Sequence, residues 1–179
     1  FPVQCHTWDE LRSYCYKVAS AVGLILIEIY GYDDRAARLH AIDLGIQMQL
    51  INVLRDVVED FERGRIYLPK EVLAAHNLDV RDLSNPNLAQ NSSWKSFIRE
   101  YFEIVRRHQA SAMHLFAYLD SRSRVQPKIM LDTYTQIFNE IIRRSGDVFT
   151  TPFKLSAISK VSLWLKINYL KLKVRMAAD

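Results

Sequence analysis

Apolar residues recur with a helical period along almost the whole chain. Leu11, Val18, Val22, Ile25 and Ile29 form one stripe of a helix predicted over about Trp8 to Tyr30, with a Thr7/Glu10 capping box at its start and Gly31 as its stop. Gly23 interrupts that stretch. An interior glycine costs about 1 kcal/mol against alanine, so it marks close packing, a kink or room for a ligand. A second helix is predicted over about Asp34 to Phe61. Residues 63–69 then turn into an extended segment, and Lys70 to His76 forms a short helix ended by Asn77 and Asp79. Ser84-Asn85-Pro86-Asn87 reads as a loop. Ser92 or Ser93 caps a third long helix to about Leu119, whose stripe holds Phe97, Tyr101, Ile104, Val105 and Phe116. Pro127 opens a fourth helix through Arg144, with Leu131, Tyr134, Ile137, Phe138 and Ile141 on its apolar side and Gly146 as terminator. No strands, repeats or low-complexity tracts are indicated, so the expected class is all-α.

After Pro152, Phe153 to Arg175 interleaves Lys154, Lys160, Lys166, Lys171, Lys173 and Arg175 with Ile158, Val161, Trp164, Leu165, Leu172 and Val174. Residues 154–179 thus read as a basic amphipathic terminal helix, either packed on the domain with a solvated basic side or attached peripherally to a membrane surface. No uninterrupted apolar run reaches the roughly 18 residues that suggest a membrane span. With 179 residues, 49% hydrophobic, the chain suffices for one domain with a core. Cys5 and Cys15 are too few for a disulfide framework and read as small buried hydrophobes in a reducing, cytoplasmic setting. A net charge of +4 suits anionic partners, yet no recognition motif accompanies it, so nucleic acid is not an expected partner. Oligomeric state is not legible.

The polar residues of the second helix carry the chemistry. Asn52, Asp56 and Asp60 follow at i, i+4 and i+8, each offset by about 40°, so their oxygens form one ladder, with Gln49 at the same edge. Leu50, Val53, Leu54 and Val57 supply apolar neighbours that bury the helix. Carboxylates desolvated there cost several kcal/mol unless protonated or paired with cations. A hard divalent cation, magnesium or alternatively manganese, resolves the conflict: it takes one or two carboxylates and completes its shell with water and substrate phosphates. Arg55 and the Arg63-Gly64-Arg65 turn add permanent positive charge for a leaving pyrophosphate. An Asp-x-x-x-Asp spacing alone describes a solvated face; the added residues change that reading.

Residues Gln49 to Pro69 resemble the second aspartate-rich motif of the squalene/phytoene synthase family, Q-L-x-N-[IV]-L-R-D-V-x-E-D-x-x-R-G-R-I-Y-L-P. Tyr14 to Gly23 resemble the family's Y-C-Y-x-V-A-G-x-V-G, and His40 to Gly45 precede the aspartate-rich stretch as expected. Ser20, Ile51 and Val58 depart from frequent glycine, threonine and glycine, which bears on product choice. The family's first D-x-x-x-D motif has no counterpart before Tyr14. The chain therefore reads as the C-terminal part, over 1–179, of a single helical prenyl synthase domain: an isoprenoid-synthase-type bundle around a central cavity, incomplete at the N-terminus, with little turnover expected of it alone.

The resemblance implies a transferase that couples two farnesyl or geranylgeranyl diphosphates head-to-head through a cyclopropylcarbinyl diphosphate, in carotenoid, hopanoid or squalene biosynthesis. It implies magnesium ligation by Asn52, Asp56 and Asp60, catalytic roles for Tyr14, Arg55, Asp56, Asp60 and Tyr134, and substrate contacts from Gln49, Asn52, Arg55, Val18, Ala19, Val22, Gly23 and Leu26. NADPH use stays open: no nicotinamide-binding glycine motif is present, but helical squalene synthases bind NADPH without one. Two other classes remain. One is a non-catalytic binding or assembly protein, against which the intact Asn52/Arg55/Asp56/Asp60 set argues; the other is a different magnesium-dependent terpene synthase, against which Arg63 to Pro69 and the Tyr14 motif argue. Glu59 receives a supporting role, and His6, His40, His76, His108 and His114 are read as structural. Asp120 and Asp132 receive no catalytic role, while Asp43 could cap, pair with His40 or support the site from behind.

Overall fold

The computed structural model describes residues 3–150 and 168–169. The chain is all-α, in the order β1 (Val3–Gln4), α1 (Trp8–Cys15), a π-helical turn (Tyr16–Ser20), α2 (Ala21–Tyr30), α3 (Ala37–Arg55), α4 (Val57–Glu62), β2 (Arg65–Ile66), α5 (Lys70–Ala75), α6 (Ser92–His114) and α7 (Val125–Arg143), with short 3-10 turns between.

The expected first helix forms as one rod, Trp8–Tyr30, bulged in the middle. Thr7 Oγ1 accepts from the Glu10 N–H at 3.1 Å, but the Glu10 carboxylate reaches past the cap to the His6 N–H at 2.6 Å, so the expected capping box is only half formed. The π turn has a tertiary cause. Ser20 is fully buried, its Oγ donates to the Ile42 carbonyl at 2.7 Å, and its backbone lies against Gly45. Between Ser13 and Tyr30 only Lys17 and Glu28 are charged. By length and composition this helix therefore does pass as a membrane span, contrary to the expectation from uninterrupted runs; little of it is buried.

The second helix differs more. It starts at Ala37 because Asp34 is taken up in a turn, where its Oδ1 accepts from the Ala36 N–H at 2.7 Å. It breaks at Asp56, whose backbone sits at φ −99° and ψ 11°. The ladder spacing survives the break, since Asp56 N–H still reaches Asn52 O at 2.9 Å and Asp60 N–H reaches Asp56 O at 2.8 Å. Two strands also form where none is expected: β1 pairs in parallel with β2, Val3 opposite Arg65 and Gln4 opposite Ile66. At two residues each they carry no alternation that a sequence could display. Gly64, at φ 72°, supplies the turn that brings Arg65 back to β1. Asn91, rather than Ser92 or Ser93, caps α6 by accepting from the Ser93 N–H at 2.7 Å. Pro127 falls in the first turn of α7, which starts at Val125. The predicted basic helix over 153–175 lies almost wholly outside the described residues.

Helix α3 is the centre of the structure, packed on α2 and the π turn along one side and on α6 along another. Its buried Leu50, Ile51 and Leu54 meet Phe97, Tyr101 and Val105 of α6 in the main core. The Tyr101 hydroxyl donates to the Leu50 carbonyl at 2.9 Å, and Trp94 Nε1–H donates to the Gly146 carbonyl at 3.0 Å, so neither large aromatic buries an unmet donor. Asp43 pairs not directly with His40 but with α6: one oxygen accepts from His108 Nδ1–H at 2.7 Å, the other from Ser111 Oγ at 2.5 Å, and His40 joins through Ser111 at 3.0 Å. Burial pushes the Asp43 carboxyl up, but the hydrogen bonds from His108 and Ser111 outweigh it and hold it below its ordinary range.

Candidate active site

The first rod, α3 and α7 enclose a cavity of about 250 Å³. Val18, Ala19, Val22, Gly23 and Leu26 form one wall, Pro127, Met130 and Tyr134 another. The third wall is one row on α3, reading Ala41, Leu44, Gly45 and Met48, then the adjacent Gln49 and, about one turn beyond Met48, Asn52. The cavity is thus apolar at one end and lined by carboxamides at the other. Close approach of the rod to α3 is set by Gly45, where a Cβ would lie 2.6 Å from the Ser20 backbone nitrogen.

Asn52 Nδ2–H donates to Gln49 Oε1 at 3.1 Å, which fixes both amides and turns Asn52 Oδ1 inward. That oxygen is buried and has no donor among the described residues. One turn on, Arg55 forms a bidentate pair with the neighbouring Asp56, Nε to Oδ1 at 2.6 Å and Nη2 to Oδ2 at 2.5 Å. The guanidinium therefore faces its own neighbour rather than open space. Asp60 is half-buried. Burial first, and the Asp56 charge second, raise its carboxyl above the ordinary range, and Arg65 only partly opposes them.

Tyr14 does not line the cavity. It stacks on Tyr67 with ring centroids 4.4 Å apart, and burial together with the hydrogen bond to Tyr67 pushes its hydroxyl well above the usual tyrosine range, while Gln49 acts in the opposite direction. Tyr14 also hydrogen-bonds Gln49 and feels the Asp60 charge, and it keeps its proton. Tyr134, by contrast, lies on the cavity wall and contributes to the electrostatic surroundings of Arg55. Glu59 pairs with Arg63 at 2.6 Å, both side chains being more than half exposed, so it points into solvent and does not support the ladder. The structure therefore brings Val18, Ala19, Val22, Gly23, Leu26, Gln49, Asn52 and Tyr134 to one cavity and leaves Arg55, Asp56, Asp60 and Tyr14 on the turns beyond its polar end.

Several residues escaped the sequence reading, among them the α3 wall residues Ala41, Leu44, Gly45 and Met48, and also Tyr67 and Met130. Tyr67 sits inside the Arg-Ile-Tyr-Leu-Pro stretch, and its place in that motif was the available signal. Met130 precedes Tyr134 by four on α7, so the helical period places both on one face.

The donor set fits a hard divalent cation: an orphaned carboxamide oxygen and two carboxylates one turn apart that repel one another. Among the described residues no three His, Cys, Asp or Glu side chains converge, so the carboxamide and non-protein oxygens are needed to complete a shell. The Asp60 environment has a stability consequence in the metal-free chain. A carboxyl whose folded pKa lies above its unfolded value of 3.8 favours the protonated form, so its contribution is full below that value and is lost as pH rises through the folded pKa. Asp60→Asn is accordingly expected to raise the melting midpoint in EDTA at neutral pH by about 1–3 °C, with the gap from the parent closing toward pH ~4. A variant that melts below the parent at neutral pH would contradict this account of Asp60.

The squalene/phytoene synthase family model matches residues 2–159. The 15-cis-phytoene synthase of Synechococcus elongatus is 36% identical over 162 residues, a match covering 80% of this chain and 50% of the relative. The phytoene synthase of Thermus thermophilus is 49% identical over 82 residues, covering 46% of this chain and 28% of the relative. Among solved structures, a dehydrosqualene synthase in complex with ligand superposes with a TM-score of 0.79 at 26% identity, over 97% of this chain and 59% of that one. The squalene synthase HpnC from Alicyclobacillus acidocaldarius, at 22% identity and a TM-score of 0.74 over 84% of this chain and 55% of that one, shares the fold. The chain spans about half the length, or less, of the curated relatives it matches.

Proposed function

The chain belongs to the squalene/phytoene synthase family, and from that premise we propose that it supplies the prenyl tunnel wall and one metal-and-diphosphate face for head-to-head coupling of two prenyl diphosphates. A single observation carries the reading. One row of α3 runs from Leu44 and Met48 in an apolar cavity to Gln49 and to the orphaned oxygen of Asn52, and Asp56 and Asp60 continue it at the same spacing.

In this reading Val18, Val22, Leu26 and Met48 bind the prenyl chain and keep water from an allylic cation. Gln49 and Asn52 orient the diphosphate end. A magnesium ion held by Asn52, Asp56 and Asp60 would neutralise diphosphate oxygens and weaken the allylic C–O bond. Arg55 compensates the departing charge by moving from Asp56 to the pyrophosphate, a bidentate partner of the same geometry. The C2–C3 double bond of the second substrate attacks the allylic carbon as pyrophosphate leaves, and the released pyrophosphate takes a proton from that same carbon, C1 of the first substrate, as its bond to C3 of the second closes the ring, giving a cyclopropylcarbinyl diphosphate. Tyr134, on the cavity wall, offers a ring face that stabilises positive charge, while Tyr14, stacked on Tyr67 outside the cavity, hydrogen-bonds Gln49 from beyond its polar end.

Calorimetric titration of the chain with farnesyl thiodiphosphate, an analogue that ionises poorly, tests this. Binding is expected with magnesium and only weak binding in EDTA. Equal affinity in both buffers would remove the metal-and-diphosphate role.

A further inference from the structure

A second cavity, of about 360 Å³, opens between α1, α3 and α6. Its α3 residues, Ile46 and Leu50, lie about 180° around the helix from Met48 and Asn52, so it faces away from the first cavity. Ile46, Leu50 and Ile104 make an apolar floor, and the Trp8 indole stands in the wall. The rim is charged. Arg12 from α1 and Arg107 from α6 are exposed, and among the described residues neither guanidinium has an ion-pair partner; Asp9 is a single carboxylate set against these two cations. His108, one residue beyond Arg107, also lines the cavity. Asp43 and Ser111 fix this imidazole from behind: Nδ1–H is committed to Asp43 at 2.7 Å, Asp43 is held in turn by Ser111, and Nε2 is left without a protein partner among the described residues.

From this arrangement we propose a second ligand site that takes a small phosphate monoester with a flat apolar group. The two guanidiniums receive the phosphate oxygens, His108 Nε2 accepts from the ligand's remaining P–OH, and the floor of Ile46, Leu50 and Ile104 receives the apolar part. Nothing in the coupling reaction uses these residues. A cavity of this size, apolar with a few converging polar groups, has the make-up of a small-molecule site, and guanidiniums without carboxylate partners match phosphate oxygens by geometry as well as charge. The Asp43–Ser111–His108 chain ties α3 to α6 beside Leu50, Tyr101 and Val105, and it also fixes the orientation of the His108 imidazole in the cavity wall.

Phenyl phosphate is the probe, titrated into the 179-residue chain without divalent metal while the indole N–H signal of Trp8, identified with Trp8→Phe, is followed by NMR. A saturable shift is expected, weakened about tenfold or more in R12Q/R107Q, the loss that accompanies removal of two charge-assisted bonds. Phenol, which lacks the phosphate, is expected to leave the signal in place, and inorganic phosphate to bind more weakly than phenyl phosphate. Both arginines are exposed, so their replacement leaves the core intact. A shift that phenol reproduces, that survives in R12Q/R107Q, or that Asn52→Ala abolishes would overturn the proposal, the last by assigning binding to the first cavity.

Discussion

Asp56→Asn is expected to weaken magnesium-dependent binding of farnesyl thiodiphosphate by roughly a hundredfold or more, while binding in EDTA changes little. The reason is the division of labour along the ladder. Asn52 offers only one neutral oxygen, so the charge of the ladder comes from Asp56 and Asp60, and Asp56 stands one turn from each of the other two. Asp56 is therefore the central charged ligand of the proposed site, and even supporting groups around bound metals are typically worth 10–100-fold in affinity. Asparagine keeps the size and one acceptor for Arg55. The Arg55–Asp56 pair is also about a third exposed, so its loss is expected to cost little stability. Calorimetry with and without magnesium, together with melting curves in EDTA, separates the two effects. Undiminished magnesium dependence in a variant that melts like the parent would remove Asp56 from the metal site.

Gly45→Ala is expected to lower the melting midpoint by roughly 5 °C, from about 1–3 kcal/mol of overpacking. Alanine gains about 1 kcal/mol of helix propensity over glycine, so a bare propensity argument predicts the opposite sign. The clash decides. The new methyl would lie 2.6 Å from Ser20 N, 2.7 Å from Ser20 Cα and 2.7 Å from Ser20 Oγ, and backbone cannot swing aside as a long side chain can. Relief requires the rod to back away from α3, which breaks the Ser20–Ile42 hydrogen bond and shifts Val18, Ala19 and Val22 along the cavity. Gly23, one turn further along the same interface, is the internal control. Its Cβ would stand 3.4 Å from Ala41 O, an ordinary contact, so Gly23→Ala is expected to hold or slightly raise the midpoint. If both alanines behave alike in thermal melts, the close approach at Gly45 is not what fixes the rod.

The backbone spacing of the proposed ladder was legible because it is local. Spacings of four along a helix place Asn52, Asp56 and Asp60 together whatever the rest of the chain does, and two i→i+4 bonds carry that spacing across the break at Asp56. The apolar lining was legible for the same reason, since Val18, Val22 and Leu26 share one face of one helix. Glu59 shows the limit: adjacency in sequence put it near the ladder, while the surface charge of Arg63 drew it outward. Arg55 shows another. Its charge was evident, but its commitment to Asp56 depends on side-chain geometry that no spacing encodes.

By itself the sequence determined the helical class, the turn-by-turn spacing of Asn52, Asp56 and Asp60, and the apolar face of the first helix, because each rests on contacts within four residues, where backbone periodicity fixes geometry. Only the tertiary structure decided the rest. The π turn needs Gly45 and Ile42 from another helix, the Tyr14–Tyr67 stack joins residues on either side of α3, and Asp43 finds His108 and Ser111 more than sixty positions away. Such partners are chosen by which surfaces the packed helices bring face to face, and that choice minimises buried unpaired groups and voids over the whole core rather than along any one segment.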